Sequence, residues 1–308
     1  MHPPRKAASV GERLHAAREL SNVNDSHPSP PHNRRLGGET NPFHRDQHPT
    51  MTIQRRTLLG MCAALALPVH AQVTDFSDAI NKAGRQRMLS QRMVKAYLAL
   101  GLQVKATEAA RVLDQSMALF DRQLVELKSF APNPQIKDVY GQLEGQWSAL
   151  KSLLVGSAPS AANAVKLLPQ DASVLALANT GTQQLEQAYG KPTGKLVNVA
   201  GRQRMLSQRM AKYYLALTWG VDGSAAAGEI EKARSEFAQA LDLLRNASEA
   251  TGEIRRELAL ADAQWVLFGA ALNAKPSATG ASNVFAASEN LLTVMDKVTN
   301  LYSKVGKG

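Results

Sequence analysis

The sequence predicts an all-α protein built from two tandem, antiparallel four-helix bundles that are related by a pseudo-two-fold axis. From about residue 77 onward, apolar residues recur at three- and four-residue spacing, without the alternation of a strand. Glycine and proline interrupt this pattern at intervals. The eleven residues AGRQRMLSQRM occur at 83–93 and again, unchanged, at 200–210. The chain is therefore predicted to contain two copies of one helical unit.

The interruptions divide each copy into four helices with short connections. The predicted helices lie near 76–103, 105–129, 133–155 and 160–189 in the first copy, and near 193–219, 225–249, 252–273 and 281–305 in the second. We place the two bundles at 76–190 and 193–306. Helix lengths and connections of this kind are typical of an antiparallel four-helix bundle. A continuous α-solenoid is the alternative, but the 117-residue period of the motif is long for helix-pair repeats.

The duplication extends beyond the identical segment. FDRQLVELK at 120–128 aligns with FAQALDLLR at 237–245, and Trp147 aligns with Trp265 after a one-residue insertion. In the fourth helices, we align 173–188 with 283–298. Both tryptophans are expected to pack in the bundle cores.

Residues 1–71 are predicted to lie outside the fold. Residues 1–50 are rich in proline and histidine and lack helical periodicity. We expect either that the start codon was assigned too far upstream, with Met51 as the true start, or that these residues form a disordered leader. Residues 51–71 combine two arginines, a short apolar run and a small-residue cleavage site after Ala71, which is typical of an export signal peptide. Export by the Sec or the twin-arginine route would place a soluble protein in the periplasm.

Composition excludes several classes of function. All seven histidines and the single cysteine lie within residues 1–71, so residues 72–308 offer no disulfide, no thiolate or imidazole metal ligand and no Cys–His or Ser–His catalysis. We therefore expect no enzyme activity, no metal and no cofactor. Residues 72–308 carry 27 basic and 21 acidic residues, a net charge of +6 without a dense basic stripe, which argues against nucleic-acid binding. No later apolar run is long enough to span a membrane.

A helical projection gives the repeated motif two apolar faces. With Gly84 at 0° and about 100° per residue, one face spans about 120–220° and should be buried in its own bundle. It carries Leu89, Met93, Ala96, Tyr97 and Leu100. A second face lies near about 280–320°. It carries Ile80, Arg87, Val94 and Leu98, bordered by Gly84 and Gln91, and in the second copy Val197, Arg204, Ala211 and Leu215, bordered by Gly201 and Gln208. Arg85 and Arg92, near about 80–100°, are interpreted as solvent-facing or rim residues.

The second faces of the two motif helices are expected to contact each other. Gly84 and Gly201 would allow the backbones to approach, and Arg87 and Arg204 would enter the contact from both sides. Two guanidinium groups about 6 Å apart repel by about 3 kcal/mol at an effective dielectric of about 20. A small planar anion between them would relieve this repulsion. Alternatively, the arginines pair with carboxylates of neighbouring helices and the glycines only permit tight packing.

The hypothesis defines a set of candidate site residues. The ligand-binding candidates are Arg87, Arg204, Gly84 and Gly201, with Gln91, Gln208, Asn81 and Asn198 in supporting positions.

The motif also resembles a known family. INKAGRQRMLSQRMVKAYL at 80–98 and VNVAGRQRMLSQRMAKYYL at 197–215 resemble the PilJ-type N-terminal domain of type IV pilus methyl-accepting chemotaxis transducers. That domain is similar to the periplasmic sensor domain of NarX-type nitrate/nitrite sensor kinases. The resemblance implies a helical bundle. In the nitrate sensors, an arginine three positions after the motif glycine holds nitrate at a two-fold dimer interface, which corresponds to Arg87 and Arg204, with Gly84 and Gly201 lining the site.

Two functions remain as expectations. The first is a periplasmic sensor or binding protein for a small oxyanion, with nitrate or nitrite preferred, that reports to a membrane sensor, a transporter or a pilus-system protein. The alternative is a ligand-free helical interaction module of a chemosensory or type IV pilus system. The residues after the motif glycine, Arg-Gln, differ from the smaller or apolar residues of the nitrate sensors, which leaves the anion open. Pairing of the motif helices within a monomeric pseudo-dimer or across a homodimer is also open.

Overall fold

The chain forms eight α-helices in residues 72–221 and 223–306, the part that this computed structural model describes. They are α1 (Phe76–Gly101), α2 (Ala106–Phe130), α3 (Pro134–Val155), α4 (Ala161–Tyr189), α5 (Pro192–Trp219), α6 (Gly223–Asn246), α7 (Gly252–Leu272) and α8 (Ala278–Tyr302). The eight predicted helices are confirmed to within a few residues at each end. The predictions for 1–50 and 51–71 lie outside the described residues.

Side-chain caps fix where the helices begin. Asp75 accepts a hydrogen bond from the backbone N–H of Asp78 at the start of α1. Ser160 and Ser277, which differ by 117 residue numbers, cap α4 and α8 in the same way. Such caps satisfy backbone donors that have no partner within the helix. The α4–α5 connection is short because Gly190 adopts the left-handed conformation with φ of 64° and Pro192 begins α5.

Each repeat closes into its own four-helix bundle. In the first repeat α1 packs against α2 and α4, and α3 packs against α4 and α2. The second repeat has the same arrangement, in which α5 packs against α6 and α8, and α7 packs against α8 and α6. The predicted fold class, two tandem antiparallel four-helix bundles, is confirmed.

The two motif helices, α1 and α5, form the main contact between the repeats. They run parallel, since contacts between them occur near Ile80 and Gly194 at one end and between Gly101 and Trp219 at the other. The pairing takes place within one chain, as in a pseudo-dimer. Because α1 is surrounded on all sides, 20 of its 26 residues are buried. The centre of the molecule is therefore built from the repeated sequence itself.

Matching contacts show that the repeats share one register. Phe120 packs on Trp147 with 4.4 Å between ring centroids, and Phe237 packs on Trp265 with 4.3 Å. Trp147 is buried, whereas Trp265 is partly exposed. Thus the expectation of two core tryptophans holds fully only in the first repeat.

The proposed alignment of the fourth helices was wrong by two turns. Thr182 and Thr299 are both buried and both donate a hydrogen bond to the carbonyl four residues earlier. These residues differ by 117 residue numbers, as in the motif, whereas the sequence alignment of 173–188 with 283–298 implied 110. Small apolar residues are frequent in both helices, and they allow a match in more than one register.

A polar seam joins α1 to α8 across the repeats. Asn81 and Arg85 of α1 contact Asn300 and Asp296 of α8, and Arg92 contacts Glu289. At the end of the seam, Ser77 donates to the carbonyl of Ser303, which caps α8. Residue numbers rise on one helix as they fall on the other, so the helices are antiparallel. Of the two interpretations of Arg85 and Arg92, the solvent-facing one was wrong, because their side chains are only 17 % and 18 % exposed and both form ion pairs.

Two buried lysines also cross between the repeats. Lys95 donates to Ser288 Oγ at 2.9 Å and to Glu289 Oε1 at 2.6 Å, while Lys212 donates to Asp171 Oδ2 at 2.7 Å. Burial lowers the pKa of Lys95 to about 8, although Glu289 opposes the shift. A buried ammonium group needs a partner of this kind, because water no longer solvates it. The lysines therefore tie each motif helix to the fourth helix of the other repeat.

Within the part of the chain that the structure describes, no helix combines the length and the apolarity required to cross a lipid bilayer.

Removing Lys212 should destabilise the fold strongly. Lys212→Met leaves the fully buried Asp171 without its cation, and breaking a buried pair in this way costs about 3–5 kcal/mol. The double variant Lys212→Met/Asp171→Ser should recover most of that loss, because serine stands at the equivalent position 288 of the second repeat. Urea unfolding followed by circular dichroism measures both free energies. Equal losses in the two variants would contradict the role of the ion pair.

Acid should destabilise the protein through Glu289. Burial raises the pKa of this carboxyl group, but Lys95 and Arg92 outweigh burial and lower the pKa to about 2 from 4.5. Since the pKa is lower in the folded state, the carboxylate stabilises the fold above about pH 4.5, and this contribution is lost as the pH falls towards 2.

The test compares thermal unfolding between about pH 6 and pH 2 for the wild type and Glu289→Gln. The variant should be less stable at pH 6 and should lose less stability on acidification. Glu231→Gln, at a side chain that is 70 % exposed, provides the control and should keep the wild-type acid dependence. An unchanged acid dependence in Glu289→Gln would refute the prediction.

Candidate functional site

The candidate site lies where α1 and α5 approach each other at the motif glycines. A Cβ atom built on Gly84 would lie 3.8 Å from the Cα atom of Gly201, and a Cβ built on Gly201 would lie 3.8 Å from the Cα of Gly84. The same Cβ on Gly84 would lie 3.2 Å from Nη2 of Arg87 and 3.5 Å from Nη2 of Arg204. The structure thus brings all four candidate ligand-binding residues together at one point.

Arg87 is held by polar groups without a charge. Its Nη1 donates to Asn179 Oδ1 at 2.9 Å, and its Nη2 donates to Asn198 Oδ1 at 2.7 Å and to the Asn198 carbonyl at 3.3 Å. Arg87 forms no ion pair with any residue that the structure describes. Tyr140 and Glu186 both act electrostatically on Arg87, and Glu186 also accepts a hydrogen bond from the side chain of Asn198.

Arg204 is held in a similar way, with one difference. Its Nη2 donates to the Asn81 carbonyl at 3.0 Å, which mirrors the bond from Arg87 to Asn198. Its Nη1 donates to Asp296 Oδ1 at 2.6 Å. Asp296 and Asn179 differ by 117 residue numbers, so a carboxylate in one half faces an amide in the other. The alternative of carboxylate pairing therefore holds for Arg204 and fails for Arg87.

Burial places both charges in an unfavourable environment. Arg87 is 1 % exposed and Arg204 is 0 % exposed. Burial lowers the pKa of Arg87 to about 9, and repulsion from Arg202 and Arg204 adds to this effect. Burial also lowers the pKa of Arg204 to about 10, although Asp296 partly restores it. Both groups remain cations at neutral pH, so the centre of the molecule holds two positive charges and one adjacent carboxylate.

Many of the guanidinium donors have no acceptor. A guanidinium group offers five N–H donors in a planar fork. Three hydrogen bonds to described residues come from Arg87 and two from Arg204, and the Nε of each arginine is buried without a partner among them. Unsatisfied buried donors are rare in folded proteins, so these two need an explanation. The site therefore has donors for a small group that carries several acceptor oxygens.

The four supporting residues divide into two pairs. Asn81 and Asn198 contact the arginine of the opposite repeat, as expected of residues beside the site. Gln91 and Gln208 instead donate to the fourth helix of their own repeat, at Asp171 and at the Ser288 carbonyl. The glutamines lie with the buried lysines, about two helical turns along the motif helix from the glycines.

Sequence analysis missed the partners of the arginines. Asn179 and Asp296 lie in fourth helices, about 92 residues after the arginines that they bind, and only the correct 117-residue alignment marks them as equivalent. The lysines were also missed, although Lys95 falls at about 20° on the projection, next to Gly84 and Gln91. The position of a charged residue beside an apolar face could have indicated that this lysine is buried.

Comparison with known families gives a match over most of the chain. The profile of the family described as type IV pili methyl-accepting chemotaxis transducer N-term, PilJ, matches residues 69–180 and 188–298. Comparison with curated proteins and with solved structures gives no match. Each matched segment contains one copy of the motif and most of one four-helix bundle, which confirms the resemblance predicted from the motif. The chain belongs to the PilJ family of type IV pilus chemotaxis transducer N-terminal domains, with two such domains in tandem.

Proposed function

We propose that this protein is a periplasmic sensor or binding protein for a small oxyanion, with nitrate or nitrite preferred, held between Arg87 and Arg204. The family supports a sensory role in a chemosensory or pilus system. The observation that carries the ligand proposal is the convergence of two buried guanidinium groups beside Gly84 and Gly201, with donors to spare on both.

The chemistry of the site favours an oxyanion over other ligands. A planar oxyanion places two oxygens against the fork of a guanidinium group, and an anion between two forks can satisfy both. It also offsets the positive charge that Arg87 carries without a carboxylate partner. A neutral ligand would satisfy donors but would leave the charge. The resemblance of the motif to nitrate sensors favours nitrate or nitrite within this class.

Repetition of the motif accounts for both halves of the site. Each repeat supplies one glycine, one arginine and one asparagine carbonyl, and the carbonyl serves the arginine of the other repeat. Two chains are therefore not needed to build the site. A membrane sensor, transporter or pilus-system protein would recognise whether an anion is bound between α1 and α5. The export signal predicted at residues 51–71 would place this recognition in the periplasm.

A second candidate function is a ligand-free interaction module. One face of α7 is apolar and is not covered by any residue that the structure describes, with Leu260, Val266 and Leu267 exposed by 54 %, 69 % and 60 %. The equivalent positions on α3 carry Gln142, Ser148 and Ala149. An apolar face on only one of two equivalent helices is typical of a contact surface for another protein. This function does not require the buried arginines to bind an anion, so anion binding separates the two candidates.

Selective stabilisation by an oxyanion is the primary expectation. Nitrate or nitrite at about 100 times its dissociation constant should add about 2.7 kcal/mol to the free energy of unfolding. For a chain of this size, the midpoint of thermal unfolding should rise by about 5–10 °C. The measurement is thermal unfolding in sodium nitrate, nitrite, sulfate and chloride at constant ionic strength.

The rise should disappear in the double variant Arg87→Ala/Arg204→Ala. Arg111→Ala/Arg122→Ala removes the same number of positive charges from exposed positions on α2 and should retain the full rise. An equal response to all four salts, or a rise that survives in the double variant, would rule out the arginine site and leave the interaction module.

The motif glycines should matter for binding more than for folding. In Gly84→Ala the new methyl group would lie 3.2 Å from Nη2 of Arg87, which forces the guanidinium group to move. We expect the anion affinity to fall by about tenfold, or about 1.4 kcal/mol. Isothermal titration calorimetry measures this affinity.

Gly228→Ala is the matched control for this change. A Cβ there meets nothing within 4 Å, and the helix should gain about 0.5–1 kcal/mol with no change in affinity. Wild-type affinity in Gly84→Ala would show that the close approach at this glycine does not shape the site.

A further inference from the structure

The two halves of the arginine site are chemically unequal. Both arginines donate Nη2 to an asparagine carbonyl of the other repeat, and both have a buried Nε without a partner among the described residues. Their Nη1 atoms differ, since Arg87 donates to the amide of Asn179 and Arg204 donates to the carboxylate of Asp296. At this pair of equivalent positions, the pseudo-two-fold symmetry is broken by one charge.

Asp296 supplies the same kind of acceptor that a bound oxyanion would supply. Its Oδ1 lies 2.6 Å from Nη1 of Arg204, in an ion pair with a fully buried guanidinium group. A carboxylate and a small oxyanion both bind a guanidinium fork through paired oxygens. Asp296 therefore occupies a donor position of Arg204 that a ligand would otherwise use.

The position of Asp296 gives it an alternative set of partners. The same Oδ1 accepts from Arg85 Nη2 at 3.0 Å, and Oδ2 accepts from Asn300 Nδ2 at 3.2 Å. The side chain is 37 % exposed and lines a surface groove of about 400 Å3 together with Arg85 and Arg92. If Asp296 gives up Arg204, its charge remains compensated by Arg85 and by water. The exchange therefore does not leave a buried carboxylate without a partner.

We propose that Asp296 is a built-in competitor of the ligand, which pairs with Arg204 as long as no anion is bound and is displaced towards Arg85 when the anion binds. The proposal rests on the anion site proposed above and identifies the residue that sets its affinity. Arg87, which lacks a carboxylate partner among the described residues, takes the anion first, and Arg204 joins when Asp296 moves. Because Asp296 lines the groove of Arg85 and Arg92, binding at the buried site alters a surface that a partner can contact.

The repeats themselves provide the variants for the test. Asp296→Asn gives both arginines an amide partner at Nη1, and Asn179→Asp gives both a carboxylate partner. The double exchange Asn179→Asp/Asp296→Asn keeps the charge and moves it to the other half. Isothermal titration calorimetry with sodium nitrate and sodium nitrite, at constant ionic strength and neutral pH, measures the dissociation constant of each variant. Circular dichroism establishes that each variant is folded.

The expected order of affinity follows from the charge beside the arginines. Loss of one negative charge about 5–6 Å from the anion should tighten binding by about tenfold or more in Asp296→Asn. Addition of a charge should weaken it by about tenfold or more in Asn179→Asp. The double exchange should lie within about threefold of the wild type, because the net charge is unchanged. Binding by Asp296→Asn alone, with none detectable in the wild type, also supports the competitor.

Failure of this inference differs from failure of the proposed function. If the wild type binds nitrate or nitrite and Asp296→Asn binds with equal or lower affinity, the competitor is refuted and the anion site stands. If neither the wild type nor Asp296→Asn binds either anion, both are refuted. Should Asp296→Asn not fold, Asn179→Asp decides alone, and unchanged affinity in that variant overturns the proposal.

Discussion

The burial of two like charges at one helix contact is the constraint on which the rest of the structure depends. Arg87 and Arg204 lie almost fully buried beside Gly84 and Gly201, where water no longer screens their repulsion. The fold compensates with the groups around them, namely two asparagine carbonyls, the amide of Asn179 and the carboxylate of Asp296. This compensation is incomplete on the Arg87 side. A site with excess positive charge is a suitable binding place for an anion.

The contacts between the repeats follow from the same constraint. A helix that carries buried charges needs acceptors from every neighbouring helix, so α1 and α5 each draw on the fourth helix of the other repeat. Lys95 reaches Glu289 and Lys212 reaches Asp171, while Arg85 and Arg92 continue the seam along α8. These ion pairs add little to the net stability of the fold, because the free-energy cost of removing each charge from water offsets much of the attraction between the charges. Their main effect is on which helices pair. They specify which helices meet and in which register.

The sequence predicted the fold well and the site in part. Helical periodicity, caps and breakers define eight helices locally, and the identical motif at 83–93 and 200–210 identifies the repeat. Gly84 and Arg87 could be selected from one helix, because a projection needs no knowledge of the neighbours. The residues that bind the arginines could not be selected in this way. Asp296 lies 211 residues after Arg85 and 92 after Arg204, and its side chain joins them only once α1, α5 and α8 have packed. The solvent-facing interpretation of Arg85 failed for the same reason.

Duplication within one chain gives this site a freedom that a symmetric homodimer lacks. In a homodimer, the position of Asn179 and Asp296 would carry the same residue twice, so the two arginines would face either two amides or two carboxylates. Two amides would leave both arginine cations without a neutralising charge. Two carboxylates would neutralise both cations and remove the attraction for an anion. A single chain with two repeats can hold one of each, which gives the two arginines an intermediate degree of charge compensation. That intermediate charge favours reversible binding of a small anion, because the site attracts the ligand and also contains a group that competes with it.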